Sequence, residues 1–281
     1  MGVRKVEELI SFENIKGNIA QNKVIVNAEK SAMIGSSKIV FSGRDNILFV
    51  EDDVHLKNST ILFQGDNSVV YLSKNRHVYF LRITVYNDSA VYIGDHCYIN
   101  GAMTLVASER QNILLGSDGL FSFGIFVRTA DPHLLYDCET KKRINASKSV
   151  LIGDHVWIGQ NALILKGTHI GSGTIIGGNT VLSGKKIPSN VVACGNPARV
   201  IRRNVFFSSE CVHSWTCEAT QKYEAMDTDQ YIYYPEAQSV TLEKIDRELK
   251  SAVGACQRLK LIEEHLVNNH NKNRFAIQEG K

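Results

Sequence analysis

An aliphatic residue at every sixth position is the feature of this sequence that most limits its possible folds. The register is kept by six consecutive positions: Ile152, Ile158, Ile164, Ile170, Ile176 and Leu182. Glycine directly follows four of them. A period of six is typical of short strands that each point one aliphatic side chain inward and then turn a corner. Such coils bury their aliphatic residues only by stacking, so the sequence predicts a mainly β fold, a parallel β-helix.

A looser form of the same rhythm extends the predicted β-helix towards the N terminus. Short β-rich pieces recur from Val24 onward, and a regular register appears at Ile93, Ile99 and Leu105 and again at Leu115, Phe121 and Val127. Residues 129–149 abandon the register, which indicates an inserted loop. We therefore expect an N-terminal segment over residues 1–23 and a β-helix domain over residues 24–203 that contains this loop.

The residues after position 203 indicate a different structure. Apolar residues spaced by three and four predict an amphipathic helix over about residues 241–268: Leu242, Ile245, Leu249, Val253, Cys256, Leu259, Ile262 and Leu266. This apolar stripe either packs on the body of the chain or serves subunit association, and the sequence leaves both open. Residues 205–239 contain many aromatic residues without a period. The sequence thus predicts a C-terminal extension over residues 204–281.

Composition excludes several classes of function. The net charge of +3 is too small to indicate nucleic-acid binding, and no apolar stretch has the length of a signal peptide or a membrane span. We therefore expect a cytoplasmic protein. The six cysteines are scattered, which favours reduced thiols. Cys211, His213 and Cys217 lack the paired spacing of zinc ligands, so no metal is expected.

Three motifs together resemble a known family. They are Val156-Trp157-Ile158-Gly159, the regular hexapeptides, and the terminal Gly195-Asn196-Pro197-Ala198-Arg199-Val200-Ile201. They resemble the left-handed β-helix acyltransferases over roughly residues 93–203. Within that family, the long N-terminal rod, the loop with Asp131-Pro132-His133 and the extra C-terminal region most resemble the bacterial capsular polysialic acid O-acetyltransferases. The resemblance implies a left-handed coil, which general crossover statistics would not favour. It also implies a homotrimer and acetyl-CoA as the acetyl donor.

Acetyl transfer to a hydroxyl group needs a base, and histidine is the natural candidate. His133 follows Asp131-Pro132 in the inserted loop, where the resemblance implies the catalytic histidine. The resemblance also suggests that Trp157 lies beside the catalytic pocket. The alternatives are a solvated loop residue for His133 and a packing role for Trp157. Three further histidines in the repeats are expected at exposed or corner positions without a function: His96, His155 and His169.

The resemblance further implies a binding site for coenzyme A. By motif position, Gln160 and Gly178 lie where the family binds the pantetheine arm, and Ser183 lies one coil further on. Lys185, Lys186 and Arg199 are expected near the phosphates, where cationic groups offset the negative charge. A solvated surface is the alternative for these side chains. The segment 183–188 is one residue longer than in simpler family members, so the family pattern does not fix the contacts of Ser183 and Lys185 with coenzyme A.

The leading hypothesis is an O-acetyltransferase that moves acetyl from acetyl-CoA to a hydroxyl of sialic acid in a capsular polysaccharide. A second hypothesis keeps the chemistry with another sugar or a small molecule as acceptor. A third is a non-catalytic or metal-dependent β-helix protein, since this fold hosts several functions. Basic residues near the loop could attract a sialic acid carboxylate or could simply be solvated: Arg110, Arg128, Lys141, Lys142 and Arg143.

Overall fold

The structure is a computed structural model that describes residues 2–6, 10–27, 32–236 and 240–278. Parts of the predicted N-terminal segment 1–23 and of the C-terminal extension 204–281 lie outside the described residues. The chain coils into a rod of stacked parallel strands with three faces, called faces 1, 2 and 3 in the order in which a coil visits them. The turns between them are corner 1–2, corner 2–3 and corner 3–1.

Each face is one sheet of parallel strands that ends in an antiparallel strand. Face 1 contains Asn22–Asn27, Ile47–Glu51, Val69–Leu72, Ala90–Ile93, Ile113–Leu115, Val150–Ile152, His169–Ile170 and Lys186–Ile187, with Gly17–Ile19 antiparallel at its end. Face 2 contains Tyr98–Ile99, Leu120–Phe121, Trp157–Ile158, Ile175–Ile176 and Val191–Gly195, with Ala198–Arg203 antiparallel. Face 3 contains Ser37–Phe41, Thr60–Phe63, Val78–Val85, Ala102–Ala107, Phe126–Arg128, Leu163–Ile164 and Val181–Leu182, with Gly2–Val6 antiparallel.

In the first coils, three short strands take the place between face 1 and face 3 that face 2 occupies further along the rod: Ile10–Ser11, Met33–Gly35 and His55–Lys57. The length of a coil changes along the rod. Ile47 pairs with Val69, so an early coil takes 22 residues, whereas Leu151 pairs with His169, so a late coil takes 18 residues. The late coils are three hexapeptides long, which explains why the six-residue register is regular only there.

The aliphatic residues of the register fill the inside of the rod. Ile152, Ile158, Ile164, Ile170, Ile176 and Leu182 are at most 1% exposed. Residues at the same place in successive coils stack directly: Ile93 pairs with Leu115, Leu115 with Ile152, and Ile152 with Ile170. Truncating one such side chain to alanine would cost about 2–5 kcal/mol. The continuous core therefore holds the corners, and everything attached to them, in fixed positions.

The C-terminal extension covers face 1. Its helices are α1 (Cys217–Lys222), α2 (Leu242–Ser251) and α3 (Gly254–Ile262), and α3 continues as a wider turn over Glu263–Val267. Short 3₁₀ turns lie at Phe12–Ile15 and Val212–Ser214. The outward residues of face 1 pack against the apolar stripe of α2 and α3 in one cluster: Phe49, Tyr71, Tyr92, Leu114, Leu151, Leu242, Ile245, Leu249, Leu259 and Ile262. Of the two roles left open for this stripe, the structure shows packing on the chain's own body.

The predicted helix over residues 241–268 is interrupted. It breaks at Ala252 and Val253, and Gly254 has φ +78°, a left-handed conformation that favours glycine. The break shifts the helical phase, so Val253 is 86% exposed and Cys256 is exposed although both belonged to the predicted apolar stripe. The two shorter helices can each follow the twisted surface of face 1.

Candidate active site

The inserted loop leaves the rod at corner 3–1, between Phe126–Arg128 on face 3 and Val150–Ile152 on face 1. His133 lies in this loop with an exposed side chain. Its imidazole makes no hydrogen bond to any residue that the structure describes, whereas its main-chain carbonyl accepts a hydrogen bond of 2.7 Å from Asn145 Nδ2. The backbone of His133 is therefore fixed while the ring nitrogens stay available to a substrate.

Asn145 is the central hydrogen-bonding residue of the loop. It is only 5% exposed, and its Nδ2 also lies 3.3 Å from Asp131 Oδ2. Its Oδ1 accepts a hydrogen bond of 2.9 Å from the main-chain N–H of Leu135. Both ends of one buried amide thus hold the chain on either side of His133. Removing the amide would leave buried donors and acceptors without partners, which is costly.

Lys166 ties the loop to the next coil. Its ammonium group donates hydrogen bonds to Asp131 Oδ2 at 2.5 Å and to the main-chain carbonyl of Asn145 at 3.0 Å. The hydrogen bond from Lys166 lowers the pKa of the Asp131 carboxyl below its usual value. Asp131 is therefore an ionised anchor of the loop.

A second ion pair lies at the far side of the loop. Arg143 donates through both terminal nitrogens to Glu109, and Ser147 Oγ donates to the same carboxylate at 2.5 Å. These hydrogen bonds, the one from Arg143 first, lower the pKa of Glu109 to about 2. Glu109 belongs to the preceding coil, so the loop is fastened to the coils on both sides of it.

Trp157 projects outward from face 2. Its side chain is 42% exposed, and its ring centroid lies 5.8 Å from that of Phe207 in a tilted arrangement. Leu120 and Ile175 flank it in register on the neighbouring coils. An exposed indole offers an apolar surface and one N–H donor, which suits a site that binds a sugar ring or a pantetheine arm.

Three residues predicted to bind coenzyme A gather at or next to corner 2–3. Gln160 and Gly178 lie on successive coils, where the carbonyl of Gln160 accepts a hydrogen bond of 2.8 Å from the N–H of Asn179. Arg199 pairs with Cys194 on the neighbouring antiparallel strand. Cys194 lies one coil after Gly177 and directly against it. A side chain at Gly178 would contact Gln160 at 3.3 Å, so the glycine keeps the backbone accessible there.

The other predicted residues lie at corner 3–1. Ser183 and Lys185 flank Gly184, whose N–H donates a hydrogen bond of 3.0 Å to the carbonyl of Lys166. Lys166 itself lies one coil after the His133 loop, so this contact places Ser183 and Lys185 two coils away from that loop. Lys186 lies on face 1, where its ammonium group contacts Glu243 of α2 at 3.0 Å. Lys186 therefore helps to hold the C-terminal extension against face 1.

The predicted site residues thus form two groups in one chain. His133, Ser183 and Lys185 lie at corner 3–1, whereas Trp157 and Gln160 lie on face 2 and corner 2–3. Face 3 separates the groups and bears a row of half-buried residues outside: Phe126, Leu163 and Val181. One copy of the chain therefore presents the candidate residues as two separate groups, called half-sites below, on the two edges of face 3.

The basic residues near the loop differ in their surroundings. Arg143 is occupied by Glu109, and Arg110 lies 4.0 Å from Asp88. Lys141 and Lys142 are exposed at the tip of the loop. Arg128, on the strand that leads into the loop, has a buried Nε without a hydrogen-bond partner in the described part of the chain. An unpaired guanidinium N–H next to the His133 loop can bind an anionic oxygen.

Two sets of important residues were missed from the sequence. Asn145 and Lys166 could have been suspected only from their polar character inside or next to the loop. His155, expected to be an exposed or corner residue without a role, turns at corner 1–2 but is only 5% exposed. Its ring stacks on Phe207 at 4.0 Å and on Tyr231 at 4.5 Å. The aromatic residues between positions 205 and 234 were the available signal for this stack.

Other features concern metals and membranes. Within residues 2–6, 10–27, 32–236 and 240–278, no group of three or more acidic, histidine or cysteine side chains could hold a metal ion. In the same part of the chain, no helix combines the length and the apolar character needed to cross a bilayer.

Comparison with known proteins adds evidence on the family. Residues 149–184 match the family described as bacterial transferase hexapeptide (six repeats). A polysialic acid O-acetyltransferase of Escherichia coli O1:K1 / APEC is 40% identical over 120 residues, which span 43% of this chain and 38% of that protein. The match therefore covers well under half of the E. coli relative.

A second relative matches over most of its length. The polysialic acid O-acetyltransferase of Neisseria meningitidis is 30% identical over 191 residues, 68% of this chain and 84% of that protein. The crystal structure of the polySia-specific acetyltransferase NeuO superposes with a TM-score of 0.63 at 28% identity, covering 73% of this chain and 94% of that one. This superposition confirms the predicted fold class, a left-handed parallel β-helix. The chain belongs to the family of polysialic acid O-acetyltransferases, which are hexapeptide-repeat acetyltransferases.

Proposed function

We propose that this protein transfers the acetyl group of acetyl-CoA to a hydroxyl of sialic acid in a polysaccharide. One observation carries the proposal: in a member of this family, Asn145 and Lys166 fix a loop on which the His133 imidazole has no hydrogen-bond partner among the described residues. The proposed location is the cytoplasm, where acetyl-CoA is available.

The reaction needs one base and no covalent enzyme intermediate. His133 takes the proton of the acceptor hydroxyl while the hydroxyl oxygen attacks the thioester carbonyl carbon. The tetrahedral intermediate then collapses, the carbon–sulfur bond breaks, and the thiolate of coenzyme A takes the proton from the imidazolium. The products are an acetyl ester and free coenzyme A. Donors must face the transient oxyanion, and Trp157 and main-chain N–H groups of corner 2–3 are the candidates.

Each complete site is formed between neighbouring copies in a homotrimer. The two half-sites lie on opposite edges of face 3, so a neighbour that packs on this face can join His133 of one copy to Trp157 of another. In this arrangement Gln160, Gly178 and Arg199 bind the donor together with Ser183 and Lys185 from the other side. Lys186 stays with Glu243 and has no part in the donor site.

A purified assay tests the reaction. Wild-type protein with acetyl-CoA and polysialic acid should release thiol and give O-acetyl signals in the NMR spectrum of the polymer. His133→Ala should lower kcat about 100-fold or more, as expected for loss of a general base. His213→Ala removes another exposed histidine, and should keep the wild-type rate. Wild-type activity in His133→Ala would rule out the proposed base.

Mixed oligomers test the shared site. His133→Ala and Trp157→Ala should each be nearly inactive alone, but co-expressed copies should regain activity wherever an intact His133 meets an intact Trp157. Mixed oligomers that stay as inactive as the single variants would place both residues in one chain's own site.

The second candidate keeps the chemistry with another acceptor. The same assay with neutral sugars and small amines or alcohols separates the two, since acetylation of these acceptors and not of sialosides would replace the proposed substrate. Arg128 favours the sialoside, because its guanidinium group lies next to the His133 loop, its Nε has no hydrogen-bond partner among the described residues, and a guanidinium group suits a carboxylate.

A further inference from the structure

A second cavity lies away from the His133 loop. It occupies about 650 Å³ between corner 1–2 and the C-terminal extension, and we call it the corner groove. Lys74, Tyr98 and Asp118 line it from the rod, and Tyr231, Tyr233 and His270 line it from the extension. A volume of this size accommodates one or two sugar units, which falls within the range of small-molecule sites.

The corner groove is continuous with the row of side chains that contains Trp157. Tyr98 is 41% exposed and in register with Leu120, which in turn is in register with Trp157. Strands in a sheet lie about 4.8 Å apart, so Tyr98 lies roughly 10 Å from Trp157 along face 2. His77 contacts the Tyr98 ring edge-on at 5.0 Å and holds it in place. An acceptor bound at Trp157 can therefore extend into the groove.

Two charged side chains of the groove have no partner among the described residues. The Asp118 carboxylate and the Lys74 ammonium make no hydrogen bond or ion pair with the described residues, and Asp95 contacts only His96, at 3.7 Å. Ser73, 2% exposed, and Tyr92 also line the groove, where the Ser73 hydroxyl lies beside the Tyr92 phenol. The Lys74 ammonium and the Asp118 carboxylate are therefore available to bind a ligand in the groove.

The chemistry of the lining selects the class of ligand. Tyrosine rings offer flat apolar surfaces with a polar edge, and carboxylates accept hydrogen bonds from hydroxyl groups. Arg274 and Lys272 also line the groove, but Asp154 and the Asp229 carbonyl engage them. The one cation left without a partner among the described residues, Lys74, lies among several carboxylates, which disfavours polyphosphates and nucleic acids because they need clustered cations. The same mixture suits a hydroxyl-rich saccharide that carries a single acid group per unit.

We propose that the corner groove is an acceptor subsite that binds sugar units of the polysaccharide away from the unit being acetylated. This inference rests on the proposed function and names how the long acceptor is held. Tyr98 stacks on the apolar side of a sugar ring, Asp118 accepts hydrogen bonds from hydroxyl groups, and Lys74 pairs with a sugar carboxylate.

The dependence of the rate on acceptor length tests this subsite. Sialic acid oligomers of one or two units and polymers of more than ten units serve as acceptors for the full chain. Tyr98→Ala and Lys74→Ala should each raise KM for the long polymer about tenfold. They should leave KM for acetyl-CoA, KM for the short acceptor and kcat unchanged. Tyr86→Ala and Lys57→Ala, exposed residues outside the groove, are the matched controls.

The outcomes separate this inference from the proposed function. If wild-type protein acetylates sialosides but Tyr98→Ala and Lys74→Ala affect short and long acceptors equally or not at all, the subsite is wrong and the function stands. If wild-type protein acetylates no sialoside, the proposed function fails. In that case, calorimetry tests the groove by comparing the affinity of wild type and of Tyr98→Ala for the long polymer. Equal binding by both proteins, or none by either, would overturn it.

Discussion

Two corners of the rod carry additional segments, and each of these segments is held by a buried asparagine. At corner 3–1, Asn145 bonds to both sides of His133 within the inserted loop. At corner 1–2, the side chain of Asn190 donates to the carbonyls of Val205 and Tyr231 and accepts from the N–H of Tyr233. The asparagines make equivalent bonds, yet one holds a catalytic candidate and the other holds the part of the C-terminal extension that lies over corner 1–2. We call this part, which contains Val205, Tyr231, Tyr233 and Arg274, the cover.

The two corners differ in the ion pair that accompanies the asparagine. The loop uses Arg143 and Glu109, whose side chains are 28% and 47% exposed. The cover uses Arg274 and Asp154, 7% and 11% exposed, joined by two hydrogen bonds of 2.8 Å. Arg274 also donates to the carbonyl of Leu266 and to Ser117 Oγ. Stability should therefore depend on the cover and activity on the loop.

The largest effect is expected at the cover. Arg274→Met leaves the Asp154 carboxylate buried without its partner, so the free energy of unfolding should fall by about 3–5 kcal/mol. Urea unfolding followed by circular dichroism measures this change. Arg143→Met at the loop is the matched control and should leave the urea midpoint nearly unchanged, because exposed pairs contribute little.

A further variant separates lost charge pairing from lost packing. Arg274→Met combined with Asp154→Leu removes both charges and should recover part of the lost stability, since a buried ion pair can be replaced by apolar residues. Equal urea midpoints for Arg274→Met and Arg143→Met would contradict the division between the corners.

The second prediction concerns the asparagines. Asn145→Ala and Asn190→Ala should each lower the free energy of unfolding by about 1–3 kcal/mol, because each leaves buried groups without partners. Only Asn145→Ala should lower kcat, by about 10- to 100-fold, since only it releases the backbone of His133. Steady-state kinetics on the long acceptor compare the two. An unchanged kcat in Asn145→Ala, or an equal loss in Asn190→Ala, would show that Asn145 does not position the base.

The sequence predicted the rod and the place of the loop because both depend on local order. A six-residue register is visible wherever successive coils have equal length, and its interruption after Val127 marks the loop. The cover was not predictable in this way. Arg274 and Asp154 are 120 residues apart, and nothing near Arg274 in the sequence indicates its partner. The packing of α2 and α3 on face 1 was likewise one of two alternatives that the sequence left open, the other being subunit association.

Within the site, sequence motifs indicated positions and not contacts. His133 and Trp157 were suggested by resemblance, and the structure places them on different sides of face 3. Lys186 was grouped with Lys185 because they are adjacent. Lys185, however, lies at corner 3–1, whereas Lys186 begins the strand Lys186–Ile187 on face 1, and its ammonium group reaches Glu243. Such partners come from the helical extension, whose packing the local pattern does not specify.

The smallest expected effect is a dependence of the cover on pH through His155. Its Nε2 lies 2.9 Å from the carbonyl of Phe207, so the neutral ring donates there while Phe207 and Tyr231 stack on its faces. Burial lowers the pKa of His155 below its usual value, although this hydrogen bond and the nearby Asp154 oppose the effect. The unfolded chain then binds the proton more readily than the folded chain.

Stability should consequently fall as the pH decreases from about 6.5, the usual pKa of histidine, towards the lower pKa of the folded protein. His155→Phe keeps an aromatic ring between Phe207 and Tyr231 but cannot take up a proton. Relative to this variant, the wild-type melting temperature should fall by a few degrees between pH 7.5 and 5.5. His213→Gln, which removes an exposed histidine, should follow the wild type across this range. If the wild-type and His155→Phe melting curves shift in parallel with pH, the ring is not a buried neutral group, and the cover is held at corner 1–2 by Arg274 and Asn190 without any contribution from the ionisation of His155.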